Sequence, residues 1–135
     1  MKKIVIIDGQ GGKIGGQLIA ALREKNVNAN ILAIGTNSTA TSNMLKSSPD
    51  AAATGENPVI VACRDADIIV GPIGIVIADS LFGEVTPKMA AAVGQSRALR
   101  VLIPVNKCDS IVAGVGETPL GALITDAAQR IIAAL

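Results

Sequence analysis

The sequence predicts a single Rossmann-like, doubly wound α/β domain with a mostly parallel sheet and helices on both faces. Three observations carry that expectation. The apolar run Ile4-Val5-Ile6-Ile7 leads into a glycine-rich stretch, Asp8 to Gly15, and then into a helical pattern. That is the strand, tight turn and helix order of a nucleotide-binding α/β unit. Further strand-like runs at 31–34, 68–70 and 101–105 alternate with helix-like segments, as repeated βα units require. The strand runs are continuously apolar rather than alternating, the mark of strands covered on both faces. At 135 residues the chain is one domain, 1–135, long enough to bury roughly two thirds of its unfolded surface.

Taken in order, Ile4 to Ile7 is the first strand. The first helix starts near Lys13, with Ile14, Leu18, Ala21 and Leu22 on one stripe and Gln17, Arg23 and Lys25 off it. Asn26 and Asn28, which tolerate left-handed backbone, end it. Ile31 to Ile34 is the second strand, Thr39 to Lys46 a short helix stopped by Pro49, and Ala51 to Ala53 a short third strand. Asn57 and Pro58 read as N-cap and first helical residue of a helix through Cys63. Ile68 to Val70 is a strand stopped by Gly71-Pro72, and part of Ile73 to Phe82 reads as a buried helix. Thr86-Pro87 opens a helix through Val93 that Gly94 ends. Val101 to Val105 is a strand whose Pro104 suggests an edge or a bulge, and Ile111 to Ala113 a further short strand. Thr118-Pro119 starts the last helix, whose stripe is Leu120, Leu123, Ile124, Ala127, Ala128, Ile131, Ile132 and Leu135.

Composition removes several function classes. Hydrophobic residues make up 50% and mean hydropathy is +0.51, yet no apolar run approaches the roughly 20 residues of a membrane span. The excess apolar surface points to a covered parallel sheet and to a homo-oligomer, a dimer or larger. Net charge is +1, basic residues are scattered, and Phe82 is the one aromatic residue. A nucleic-acid partner would call for a basic stripe or a stacking platform. Met1-Lys2-Lys3 precedes too short an apolar run for a signal peptide, and Cys63 and Cys108 have no metal-ligand spacing. Two free thiols fit a cytoplasmic location. The absence of His rules out Ser-His-Asp and Cys-His mechanisms, and the absence of Tyr rules out a Tyr-Lys pair.

Gly9, Gly12 and Gly15 read as G-x-x-G-x-x-G, a variant of the dinucleotide fingerprint. Glycines let the backbone turn tightly and approach a phosphate, which would sit on the amides of Gly11 to Gly15, with Lys13 adding charge. A P-loop is excluded because Ile14 stands where Ser or Thr should ligate magnesium. The acid expected about 20 residues on, to hold ribose hydroxyls, is missing. Strand two ends in Gly35-Thr36-Asn37, and the next acid is Asp50. Asp8 has three readings: it repels a phosphate, coordinates a cation or caps the turn.

The polar residues at predicted strand ends form one rim, because ligands of such sheets sit beyond the strand C-termini. The candidate ligand-binding residues are Asp8, Gly9, Gln10, Gly11, Gly12, Lys13, Ile14, Gly15, Gly35, Thr36, Asn37, Thr54, Gly55, Glu56, Asn57, Gly71, Pro72 and Asn106. NAD(P) or another nucleotide is the cofactor class that the pattern admits, and no metal site is expected. Three readings stay open. The chain binds a nucleotide or similar phosphorylated ligand. It is a small transferase or hydrolase using Glu56, Asp8 or Lys88. It is a regulatory or interaction subunit whose apolar helices assemble. Glu84, Thr86 and Lys88, in the loop after a buried segment, read as a surface cap ahead of chemistry, and Cys108, beside Asn106 and Lys107, as a partly buried small residue ahead of a reactive thiol.

Together, Asp8-Gly9-Gln10-Gly11-Gly12, Gly35-Thr36-Asn37, Ala40-Thr41, Met44-Leu45-Lys46, Thr54-Gly55-Glu56-Asn57, Gly71-Pro72-Ile73-Gly74, Gly83 to Ala90 and Ile103-Pro104-Val105-Asn106 resemble a bacterial family, domain of unknown function 3842. The resemblance covers almost the whole chain. It implies a small, stand-alone, Rossmann-like bacterial protein, and it implies no activity, ligand or catalytic residue.

Overall fold

Among the described residues, five strands form one all-parallel sheet in the order β3-β2-β1-β4-β5. The structure, a computed structural model, describes residues 1–105 and 109–135, so Asn106 and Cys108 lie outside the described residues. The elements are β1 (Lys3–Asp8), α1 (Lys13–Glu24), β2 (Asn30–Gly35), α2 (Ser38–Leu45), β3 (Ala51–Thr54), α3 (Glu56–Cys63), β4 (Ile68–Pro72), α4 (Pro87–Gln95), β5 (Leu99–Ile103) and α5 (Leu120–Ala133).

Alternation along β1 divides the core. Ile4 and Ile6 face α1, α2 and α5, packing against Leu18, Leu22, Met44, Ile124 and Ile131. Val5 and Ile7 face α3 and α4, packing against Val59, Ile75, Met89 and Val93. Both faces of β1 and β4 are therefore dry, which is why their sequences are apolar without a break. The chain turns to one face after β1 and to the other after β4. These two strands are neighbours, and the switch point lies between their C-terminal ends.

Several local expectations hold. Asn26 takes a left-handed φ of 51° just past α1, and the Thr86 hydroxyl accepts the Met89 N–H at 3.1 Å to cap α4. The edge position expected for β5 is also observed, although it runs Leu99–Ile103 instead of Val101–Val105, since Pro104 has no N–H to continue the ladder.

Four details differ from expectation. Asn57 is not a cap: α3 begins at Glu56, and Gly55 turns the chain at φ 104°, a conformation only glycine takes readily. Pro58 falls in the first turn, where its missing N–H costs nothing. β4 runs on through Gly71-Pro72; its pairing with β1 ends at Val70, so Pro72 needs only β5 as a partner. The buried helix expected within Ile73 to Phe82 is a single 3-10 turn, Ile73–Val76. Asp79, Leu81, Phe82 and Gly83 then all have positive φ, which a right-handed helix cannot accept. Residues 111–113 form no strand, and Ile111 is 93% exposed; β-favouring side chains do not make a strand without a partner.

Candidate functional site

The turn between β1 and α1 is closed by the Gly12 N–H donating to the Gly9 carbonyl at 2.9 Å. Gln10 and Gly12 both adopt positive φ, 48° and 70°. Gly12 and Gly15 sit where α2 presses on the turn: a Cβ on Gly12 would strike the Ala40 backbone, and one on Gly15 would strike the Met44 sulfur. These two glycines permit the close approach of α2 to the turn.

Asp8 lies beneath the turn and is 4% exposed. Its Oδ1 accepts the Gly9 N–H and its Oδ2 the Gly15 N–H, each at 2.8 Å. Burial pushes its carboxyl above the ordinary carboxylate value; the N–H groups of Gly15, Gly9 and Ile14 pull the other way, and the charge of Glu84 pushes upward again. Of the three readings for Asp8, the geometry is that of a cap. Its carboxylate neutralises the α1 N-terminus from inside the fold. The Gly15 N–H is thereby taken and does not face a ligand.

Above the turn stands Glu84, delivered by the loop between β4 and α4. Its Oε1 accepts the Thr36 hydroxyl at 2.6 Å, the Asn37 amide at 2.7 Å and the Gln10 N–H at 2.9 Å. Burial pushes its carboxyl up, but the three donors outweigh it, and the group is held below its ordinary value. Gly9 makes room for this arrangement: a Cβ there would lie 2.6 Å from the Thr36 hydroxyl and 2.9 Å from Glu84 Oε1. Asn37 also donates to the Gln10 carbonyl at 2.9 Å, and Asn43 to the Gly11 carbonyl at 2.7 Å, so α2 holds the turn from the side.

A cleft of about 250 Å³ opens over residues 8–14, closed by Leu81, Val105 and Leu120. Among the described residues, the N–H groups of Gly11 and Lys13 have no protein acceptor. Larger depressions lie elsewhere, one between β5 and α5 and one beside Asp50, Asp65 and Asp67 at the opposite end of the sheet. Neither is lined by the glycine turn.

The structure gathers part of the predicted rim. Gly35 continues into the site through the Thr36 N–H, which donates to the Asp8 carbonyl at 2.9 Å, and the Gly55 N–H donates to the Gly35 carbonyl at 2.9 Å. Thr54 is tied to Thr41, hydroxyl to hydroxyl, at 2.7 Å. Glu56 and Asn57 follow β3, two strands and about 10 Å from β1. Gly71 and Pro72 are buried, and a Cβ on Gly71 would strike the Ile7 carbonyl. Of the proposed catalytic residues, no hydrogen bond or ion pair among the described residues joins Glu56 or exposed Lys88 to Asp8. The described thiol, Cys63, is buried and pushed up to about 11, which keeps it protonated and unreactive.

Glu84 is not part of the surface cap expected with Thr86 and Lys88: Thr86 caps α4, and Glu84 turns instead to Thr36, Asn37 and Gln10. It sits 48 positions from Thr36, and only two signals point to it: the acid missing from the end of β2, and Glu84's place in the composite signature.

Five parallel strands in this order, with a glycine turn at the switch point, make this a Rossmann-like doubly wound α/β protein. It belongs to the family described as Domain of unknown function (DUF3842), whose family model matches residues 3–135. Comparison with curated proteins and with solved structures gives no match.

Proposed function

We propose that the protein binds a nucleotide or another phosphorylated ligand at the glycine turn after β1. The observation that carries this reading is the cleft over residues 8–14 at the sheet's switch point, where ligands of doubly wound folds bind. The phosphate is assigned to the N–H groups of Gly11 and Lys13, because Asp8 already takes those of Gly9 and Gly15. At about 250 Å³ the cleft is smaller than the roughly 300–1,000 Å³ of pockets that enclose a whole ligand, so it suits a phosphate with its sugar. Thermal shift with NAD, NADP, AMP, GTP, flavins and S-adenosylmethionine tests the reading. A ligand at 100 times its Kd stabilises by about 2.7 kcal/mol, several degrees for a domain of this size. No shift with any of them overturns it.

Self-assembly is a second reading, favoured by one observation. The β5 edge is unpaired among the described strands, and Leu99 (51% exposed), Val115 and Leu123 line a mainly apolar groove between β5 and α5. Light scattering that finds a monomer at all concentrations removes it.

A further inference from the structure

The end of β2, Gly35-Thr36-Asn37, lacks the acid that doubly wound folds use to hold a ribose. A carboxylate nevertheless reaches that place. Glu84 arrives from the loop after β4 and bridges the two strand ends that a nucleotide would span, accepting Gln10 N–H from the β1 turn and Thr36 and Asn37 from β2. We infer that Glu84 replaces the missing acid and recognises the 2′,3′-diol of a ribose-containing ligand. The inference rests on the nucleotide reading above and deepens it.

The way Glu84 is held supports this role. All three donors converge on Oε1, and among the described residues no donor reaches Oε2. One oxygen therefore fixes the carboxylate and the other is left to accept. A free diol offers two O–H donors, which a carboxylate accepts well. Hydrogen bonding holds Glu84 below its ordinary value, so it is ionised at neutral pH and ready to accept. The same charge repels a 2′-phosphate, and no Arg stands at the end of β2 to offset it. The ligand class that follows is a ribonucleotide with free 2′ and 3′ hydroxyls, with NAD preferred to NADP.

The alternative role of the same contacts is a plug, in which Glu84 sits on donors that a ligand would otherwise use. Calorimetry separates the two. The titrants are AMP, GMP, CMP and UMP, their 2′-deoxy counterparts, NAD and NADP, against the full chain and against Glu84→Gln and Glu84→Ala. Circular dichroism establishes that each variant is folded, and Glu84→Gln keeps the shape of the contact should Glu84→Ala not fold. The expected result is a preference of about tenfold or more for ribose over 2′-deoxyribose, and for NAD over NADP, that collapses toward unity in Glu84→Gln. Equal affinity for ribo and deoxy forms overturns the inference and leaves the nucleotide reading standing. Tighter binding by Glu84→Gln than by the wild type also overturns it, and assigns Glu84 as the plug. No binding of any titrant overturns both.

Discussion

The two sides of the glycine turn carry the same chemical group in opposite environments. Beneath the turn, Asp8 is 4% exposed and both its oxygens are committed to backbone N–H groups. Above it, Glu84 is partly exposed and, among the described residues, only Oε1 is committed. Burial dominates for Asp8, whose carboxyl is pushed up, while donors dominate for Glu84, whose carboxyl is held down. Asp8 thus belongs to the architecture of the turn, and Glu84 is the acid for which we propose a role in ligand recognition. Burial and donor count separate two acids that their neighbours in sequence do not distinguish.

The largest effect is expected at Asp8. Asp8→Ala leaves the Gly9 and Gly15 N–H groups without acceptors in a dry site, an expected loss of about 2–4 kcal/mol in urea unfolding. A loss below 1 kcal/mol would show that water reaches the turn and that the two sides do not differ. Next comes Gly9→Ala, whose Cβ would crowd Thr36, Leu81 and Glu84 and should cost about 1–3 kcal/mol. It should also weaken Glu84's contacts, so Gly9→Ala combined with Glu84→Gln should cost less than the sum of the two.

Smaller still is Glu84→Gln, about 1 kcal/mol at neutral pH because the group is partly solvated. Its pH dependence should run opposite to that of Asp8→Asn. Glu84 is held low in the fold, so its contribution is present above its unfolded value and is lost as pH falls through the folded one. The stability gap between wild type and Glu84→Gln should therefore shrink on acidification. Asp8 is held high, so its contribution is complete below its unfolded value and is lost as pH rises through the folded one. Relative to Asp8→Asn, the wild type should lose ground as pH rises. Parallel trends in the two urea series would refute the assignment of opposite shifts. The smallest effect is a gain: Phe82 is 98% exposed at φ 57°, and Phe82→Gly should relieve left-handed strain worth about 0.5–1 kcal/mol, raising Tm by a few degrees.

How much was legible depended on how local the cause was. The β1 run, the α1 stripe, the Asn26 stop and the Thr86 cap are set by residues within one or two turns of each other, and all appear as read. The segment 73–82 misled because its apolar count matches a buried helix. In the fold only some of those side chains, Ile75 and Leu81 among them, go inward, while Phe82 points to solvent. The strand expected at 111–113 failed for a related reason, since strand formation needs a neighbour that sequence pattern does not supply. The three readings of Asp8 were visible at the outset, and choosing among them required the position of the Gly15 N–H.

By itself, then, the sequence determined the order of the strands and helices that did form, the doubly wound class and the placing of polar residues at strand ends. Apolar periodicity and glycine chemistry act over a few residues and survive in any fold that buries them. Only the tertiary structure decided which acid faces inward and which faces out. Glu84 meets Thr36 and Gln10 because the chain changes faces between β1 and β4 and brings the loop after β4 over the turn after β1. That contact spans 74 residues of chain to Gln10, and it exists only once parallel strands have placed β1 beside β4.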